Sequence, residues 1–281
     1  MRWYTWGAAL ALAGAAPLAA QGDCFPPASS REAKVFAVLS VPLSFTGGGA
    51  PLAPGRFGVD AGLEASYLPH IDTATATPTI CRPGKGPENV NILPGFLRPR
   101  IALGLPGQLV LEAAWIPPVR LNGAKANLVG LALSRIIPAG ALRLALRADI
   151  TIGVIHAPVT CDAGALRDPT SECFQGTLSD DTYRPNIFQT EFAAARSLSS
   201  GRLTVYGAVG YAHLAPRFQV NFTNQFGSTD RRKVEVDLDR LTLGGGGTLL
   251  IGRRTSVSGE VYSAPADAVT GRLIVRTSLN R

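Results

Sequence analysis

Hydrophobic and polar residues alternate along most of this chain, and the segment RLALRADITIGV (143–154) shows the pattern clearly. Its even-numbered positions are apolar, whereas its odd-numbered positions include Arg143, Arg147 and Asp149. Alternation with a period of two predicts a β-strand with one apolar and one polar face. Extended back to Ala141, such a strand would span roughly 46 Å at about 3.3 Å per residue, which is longer than most globular strands.

Nine further segments repeat this alternation. They are residues 55–68, 97–105, 108–116, 124–137, 186–197, 202–212, 240–251, 255–263 and 271–280. In 124–137 the two faces are less distinct, which favours a β-bulge there. Residues 217–224 and 232–239 also alternate, and we expect them to extend one hairpin beyond a membrane.

The connections between these segments are of two kinds. Tight turns rich in Pro, Gly and Ser follow every second segment, and longer polar loops follow the others. This rhythm is typical of membrane barrels with short periplasmic turns and long external loops. The sequence therefore predicts an all-β fold, an antiparallel up-and-down transmembrane β-barrel of about 10 (10–12) strands over residues 55–281.

The N-terminal region divides into two parts. Residues 1–20 have the layout of a secretory signal peptide, with Arg2 ahead of an apolar core and cleavage expected after Ala20. Residues 21–54 form a separate segment that contains KVFAVLSVPLSF (34–45), which alternates like a strand. An eleventh strand in the wall would run in the wrong direction for simple closure. This segment is therefore interpreted either as a plug in the lumen or as an extra strand outside the simple ten-stranded order.

Composition supports a membrane protein. Only 17% of the 281 residues are charged and 46% are hydrophobic, whereas soluble globular proteins have roughly 25% charged residues. Beyond the signal peptide no apolar stretch approaches the ~20 residues of a transmembrane helix. Closed barrels are the other structure that lipid permits. We therefore expect the bacterial outer membrane as the location, with a secreted soluble β-protein as the alternative.

The formal net charge of +7 raises the question of a nucleic-acid partner. Most of the basic residues are arginines placed singly along the strands, which favours a lumen lining, and no nucleic acid is expected. The charged positions on the polar faces are predicted to line the lumen: Asp60, Glu64, Arg98, Arg100, Glu112, Arg143, Arg147, Asp149, Glu191, Arg240, Glu260 and Arg276. They would form either a self-satisfying salt-bridge network or a narrow pore with arginine rings.

Four cysteines remain after the signal peptide, and an even number in an exported chain favours disulfides. Cys161 and Cys173 lie in one polar loop, which favours their pairing and leaves Cys24 with Cys81. A zinc site is the rival interpretation, but no Cys-x-x-Cys occurs.

Catalytic chemistry has little support in the sequence. His70, His156 and His213 occupy loop or strand-end positions, and no Gly-x-Ser-x-Gly motif accompanies them. The run GGGG (244–247) lies inside a strand pattern, and no Lys-Ser/Thr follows it as in a phosphate-binding loop. We expect a non-enzymatic protein without metal or cofactor.

The chain resembles bacterial outer-membrane β-barrel proteins over residues 34–281. The segment ILPGFLRPRIALGLPGQLVLEAAWIPPV (92–119) is similar to early hairpins of uncharacterised barrels distantly like the long-chain fatty-acid transporters. That similarity implies an N-terminal hatch, which residues 24–54 would supply. The expected function is a structural barrel or a narrow pore for small solutes, and the alternative is a transporter or binding barrel for a hydrophobic compound. The expected partners are membrane lipid, the barrel-insertion machinery and such a solute or ligand.

Overall fold

Ten long strands make up most of the computed structural model, which describes residues 22–51, 57–198 and 201–280. The predicted signal peptide, residues 1–20, lies outside the described residues. The ten strands are β1 (Val59–Tyr67), β2 (Gly95–Leu105), β3 (Leu109–Ile116), β4 (Ala124–Ala139), β5 (Leu142–Ala157), β6 (Ile187–Leu198), β7 (Leu203–Leu214), β8 (Leu238–Ile251), β9 (Thr255–Ala264) and β10 (Ala268–Ser278).

These strands form a closed barrel. Each pairs antiparallel with the next along the chain, and β10 pairs with β1, with Leu63 opposite Val275. Closure satisfies the backbone polar groups of the first and last strands, which would otherwise be exposed edges. The predicted ten-stranded antiparallel barrel is confirmed.

The bulge expected within residues 124–137 is absent from β4. Its pairing with β5 is unbroken from Lys125 opposite His156 to Ala139 opposite Leu142. The two faces looked indistinct because the lumen-facing row includes Leu128, which is buried in an apolar cluster inside the barrel. Leu128 is therefore apolar although it faces the lumen, because the lumen is filled by other apolar side chains at that level.

The outer surface of the barrel is apolar. Leu97, Leu146 and Leu241 are all about 60% exposed on rows that face outward. Toward the long-loop end, four exposed aromatic residues stand near the strand ends, as a membrane-interface belt does. These residues, the aromatic belt, are Tyr67, Trp115, Phe188 and Tyr211.

The two ends of the barrel differ, as predicted. Short connections, such as the 3₁₀ turn Pro106–Gln108, lie at the end we call inner, and all long loops lie at the outer end. The outer connection between β9 and β10, which we expected to be long, is a short turn of residues 265–267. The long loops contain a short helix, α2 (Thr73–Ala76), and six short strands: Arg120–Leu121, Asp181–Arg184, Arg217–Gln219, Phe222–Thr223, Thr229–Asp230 and Lys233–Glu235.

Residues 217–239 form the extended hairpin that we expected. The pairing of Leu214 with Leu238 continues in the same register through Arg217–Gln219 with Lys233–Glu235 to Phe222 opposite Asp230. Phe218 and Val234 are buried, because they pack into an apolar cluster at the mouth of the barrel. This hairpin therefore helps to cover the outer end.

Both predicted cysteine pairs form disulfides, Cys24–Cys81 and Cys161–Cys173. Cys24 also forms an isolated parallel bridge with Val234. The N-terminal segment is thus tied to two of the outer loops.

The segment 34–45, which alternates like a strand, forms most of a helix, α1 (Arg31–Leu43). The side chain of Ser30 caps its first turn by accepting a hydrogen bond from Ala33 N. No strand is free to pair with this segment inside a closed barrel, and a helix satisfies its own backbone groups. Because α1 is surrounded, apolar residues are buried on several of its sides, among them Ala33, Phe36 and Val41.

None of the described helices is long and apolar enough to span a bilayer.

Candidate functional site

The N-terminal segment passes through the barrel from the outer end to the inner end. Cys24 is fixed among the outer loops, whereas Ala50 N donates to Thr248 Oγ1 near the inner end of β8 (2.9 Å). Strand β1 then begins at the inner end. We call residues 31–51 the plug.

The outer part of the plug is held by apolar packing. The ring of Phe36 lies 5.9 Å from that of Tyr183 and 6.1 Å from that of Phe218, measured between centroids. The hydroxyl groups of Tyr183 and Ser40 are hydrogen-bonded at 2.6 Å. The loops and the helix therefore close the mouth together.

Two wall arginines satisfy the carbonyl groups at the end of α1. Arg272 donates to the carbonyls of Val41 (3.3 Å) and Pro42 (3.2 Å). Arg98 donates to those of Leu43 (3.1 Å) and Ser44 (3.2 Å). The last carbonyls of a helix lack partners within the helix and carry its negative dipole end, so buried guanidinium groups stabilise them strongly.

Below the helix, further arginines bind the extended part of the plug. Arg147 donates to Phe45 O (2.9 Å) and Arg100 to Thr46 O (2.8 Å), while Arg276 donates to Gly47 O. These contacts use backbone carbonyls, so they do not depend on the identity of the plug side chains.

Phe45 occupies the centre of the lumen and is fully buried. The guanidinium carbons of Arg100, Arg147 and Arg98 lie 4.4, 5.0 and 5.2 Å from its ring centroid, within cation–π range. A Cβ atom at Gly130 would come within 2.8 Å of this ring. The glycine thus makes room on β4 for Phe45.

Charges in the lumen are balanced. Glu64 accepts hydrogen bonds from Arg98 and from Arg100 (2.6 Å), and Glu112 accepts them from Arg147 (2.5 Å) and Arg100 (3.2 Å). Such charge-assisted hydrogen bonds are stronger than those between neutral groups. The ten members, which we call the lumen network, are Glu64, Glu112, Asp149, Glu191, Glu260, Arg98, Arg100, Arg147, Arg272 and Arg276.

All twelve residues predicted to line the lumen lie on inward-facing rows, but three lie outside the lumen network. Arg143 is near the inner end, where it donates to Ser197 and Thr204. Asp60 is also near that end, and Arg240 binds Asp267 at the outer rim. Arg272 was not among the predicted residues, although it lies on the same row as Arg276, so the strand period contained the signal.

The histidines that were weighed as catalytic are part of no described nucleophile arrangement. His156 Nδ1 lies 3.3 Å from Asp180, and His213 Nδ1 lies 2.9 Å from Asp239. Both pairs are on the exposed outer part of the molecule, and their described hydrogen bonds include no serine.

A cavity of about 680 Å³ lies beside the inner half of α1, under the outer ends of the first strands. Leu39 and Leu43 of the plug form one side of it. The remaining lining is almost entirely apolar and includes Leu93, Phe96, Leu97, Ile116, Pro117, Val119, Leu121, Ala126 and Ile155. We call this space the side cavity.

The barrel wall is split next to the side cavity. Pairing between β2 and β3 stops at Arg100 opposite Ala114, although β2 continues outward to Gly95 and β3 to Ile116. Pro99 is the next residue outward from Arg100 on β2, and it has no N–H to donate to a neighbouring strand. Phe96 and Ile116, from the two separated ends, both line the side cavity.

This gap faces the membrane. Leu97 and Val119 line the side cavity, and both are 59% exposed on the outside of the protein. Trp115 of the aromatic belt is on the β3 side of the gap. The opening therefore lies at the level where the barrel crosses the outer membrane–water interface.

Glu32 fastens the outer loop that carries Cys81. Its Oε1 accepts hydrogen bonds from the N–H groups of Thr79 (2.7 Å), Ile80 (2.7 Å) and Cys81 (3.1 Å). Burial opposes ionisation, but these donors outweigh burial and hold the pKa of the Glu32 carboxyl below its usual range. A lowered pKa in the folded protein means that this stabilisation is present above the unfolded value of about 4.3 and is lost as the pH falls further.

We therefore expect amide protection in this loop to depend on Glu32. Glu32→Gln should lower the hydrogen-exchange protection factors of residues 79–81 by about five- to tenfold, as loss of charge from a hydrogen-bond acceptor costs about 1 kcal/mol or more. The unmodified protein should lose the same protection below about pH 4. Asp72→Asn, in the same loop, serves as the control, and an equal effect there would refute a specific role for Glu32.

The closed ring, the apolar exterior with its aromatic belt and the loops of unequal length define the class. The chain is an outer-membrane β-barrel protein of bacteria. No protein-family model and no curated protein sequence matches it.

Several solved structures are similar in part. Ail, the attachment invasion locus protein of Yersinia pestis, is 9% identical, with 79% of this chain and 97% of Ail covered at a TM-score of 0.29. The outer membrane protein Omp33 of Acinetobacter baumannii is 8% identical over 80% and 99% (TM-score 0.31). The toluene transporter TbuX of Ralstonia pickettii is 10% identical over 92% and 96% (TM-score 0.32). At these scores no function is transferred to this chain.

Proposed function

We propose that this protein binds small apolar molecules in the side cavity and exchanges them with the outer membrane through the gap between β2 and β3. The proposal rests on the apolar side cavity of about 680 Å³ and on its position at the gap in the wall. Cavities of roughly 300–1,000 Å³ are the size of typical small-molecule sites.

The polar groups at the edge of the side cavity support an apolar ligand. Asn91 is engaged with the backbone of Ile71 in both directions, and Ser66 donates to Glu64. Asp181 accepts hydrogen bonds from Thr160, Ser179 and Asn221. A ligand with many polar groups would lose hydrogen bonds to water without gaining new ones.

The position of the plug favours passage of the ligand through the barrel wall rather than through the lumen. The plug and the lumen network fill the barrel below the cavity, so a straight path inward would require the plug to leave. The gap between β2 and β3 needs no such change. These observations favour binding of a hydrophobic compound over a narrow pore for solutes.

Trp115 provides the test. It is the one tryptophan outside residues 1–20, and it stands beside the gap. Bromobenzene, an apolar heavy-atom quencher, should quench its fluorescence saturably in detergent-solubilised protein. Ala126→Phe, which projects a ring into the side cavity, should weaken this binding at least tenfold.

Ala113→Phe is the matched control, because Ala113 lies on an outward row of β3 and is not among the residues that line the cavity. It should leave the saturable quenching unchanged. Equal quenching in the parent protein and in Ala126→Phe, with both shown to be folded by circular dichroism, would refute the proposed function.

A further inference from the structure

The net positive charge of the described residues lies at the inner end of the barrel. The outer loops, the outer strand ends and the N-terminal segment together contain fourteen acidic and thirteen basic described residues, and the lumen network contains five of each. At the inner end the described residues include one carboxylate, Asp60, and six arginines. These six, the inner arginines, are Arg135, Arg143, Arg196, Arg202, Arg253 and Arg254.

The inner arginines form an arc on one side of the barrel. They lie on strands β4, β5 and β6 or in the turns that follow β6 and β8, so the arc spans six consecutive strands. The turn between β2 and β3, Pro106–Gln108, has no charged residue. Among the described residues, the excess positive charge is therefore a feature of one surface.

Two of the inner arginines face the membrane rather than the lumen. Arg135 is on the exposed row of β4 that includes Leu131 and Leu133, and Arg196 is on the exposed row of β6 that includes Phe192. Each therefore stands at the inner border of the apolar exterior.

Apolar residues lie between these two arginines on the same outer surface. On β5, Leu146 is opposite Arg135 and Leu142 is opposite Arg196, and both leucines are exposed. A pair of guanidinium groups that flanks exposed aliphatic side chains matches a lipid, whose headgroup is anionic and whose chains are apolar.

We propose that the inner arginines bind the phosphate headgroups of anionic phospholipids in the inner leaflet of the outer membrane, with Arg135 and Arg196 as the principal contacts. Guanidinium groups bind phosphate oxygens bidentately and keep their charge at an interface. Basic residues next to an anionic leaflet each add attraction that decays within a Debye length.

The position of Arg135 and Arg196 favours lipid over an acidic periplasmic protein. A protein in the aqueous phase would meet the turns, where Arg202 and Arg253 lie. It would not reach the lipid-facing rows of β4 and β6 within the membrane border. Only a molecule in the membrane contacts the outward arginines and the leucines between them.

The test is lipid retention by native mass spectrometry of the full chain released from detergent. The protein should retain phosphatidylglycerol in preference to phosphatidylcholine. Arg135→Gln/Arg196→Gln should weaken phosphatidylglycerol binding about 25-fold, or about fivefold for each arginine, as expected for about 1 kcal/mol each.

The matched control is Arg120→Gln/Arg184→Gln, which removes two exposed arginines at the outer end and should leave retention unchanged. Circular dichroism shows whether each variant folds. Equal retention of the two lipids by the parent protein, or the same loss in the control, would overturn the proposal. Binding of polyglutamate that needs the inner arginines, with no preference for phosphatidylglycerol, would also overturn it and would indicate a protein partner.

Discussion

Glu64→Gln is expected to lower the free energy of unfolding by about 3–5 kcal/mol, the range found when one partner of a buried ion pair is removed. Glu64 is completely buried and receives hydrogen bonds from both Arg98 and Arg100. A neutral amide leaves the buried guanidinium of Arg98 without its carboxylate and that of Arg100 with Glu112 alone. The amide N–H group also points donors at groups that are themselves hydrogen-bond donors. Urea unfolding in lipid vesicles, followed by Trp115 fluorescence, measures the change.

Asp60→Asn is the control for this experiment. Asp60 lies on the same inward row of β1 as Glu64, but it is near the inner end and outside the lumen network. Its replacement should change the unfolding free energy by about 0.5 kcal/mol or less. Equal losses from the two substitutions would mean that the lumen network is not the principal source of stability.

Phe45→Ala should destabilise the protein by about 3–5 kcal/mol as well, because truncation of a buried phenylalanine leaves a cavity. It also removes the ring that Arg98, Arg100 and Arg147 surround. The substitution should also release the plug in part of the molecules. The variant should then conduct ions across planar bilayers, whereas the parent protein should not.

Phe226→Ala provides the comparison, since Phe226 is 84% exposed in an outer loop. It should be neutral in stability and in ion flow. If Phe45→Ala is as stable as Phe226→Ala, the aromatic ring is not what anchors the plug.

The wall of the barrel was predictable from the sequence for a local reason. In a strand, residues two apart share a face, so the alternation through Arg143, Arg147 and Asp149 gives both the strand and the inward row. Antiparallel closure then follows from an even number of strands. The disulfides were predictable because Cys161 and Cys173 share one loop.

The plug depends on contacts far apart in the chain, which local patterns do not contain. Residues 34–45 alternate like a strand, yet a closed wall offers no pairing partner and the segment becomes helical. The arginines that bind its carbonyls come from β2, β5 and β10. Only their placement around one axis shows that Arg98 and Arg272 meet at the end of α1 and that Arg147 binds the plug just below it.

The side cavity was not predicted, although the chain contains a signal for it. Pro99 interrupts the hydrogen-bonding capacity of β2, and Pro117 and Pro118 end β3 next to it. Prolines on both sides of a seam favour a gap in the wall. Whether such a gap opens into a cavity depends on Leu39 and Leu43 of the plug.

We infer that the plug closes the lumen, so that the side cavity is the accessible site. Single-channel recording of the full chain in planar bilayers measures this closure. A closed lumen predicts no sustained conductance steps while Cys24–Cys81 is intact. Stable, porin-like steps under the same conditions would show an open lumen and would contradict it.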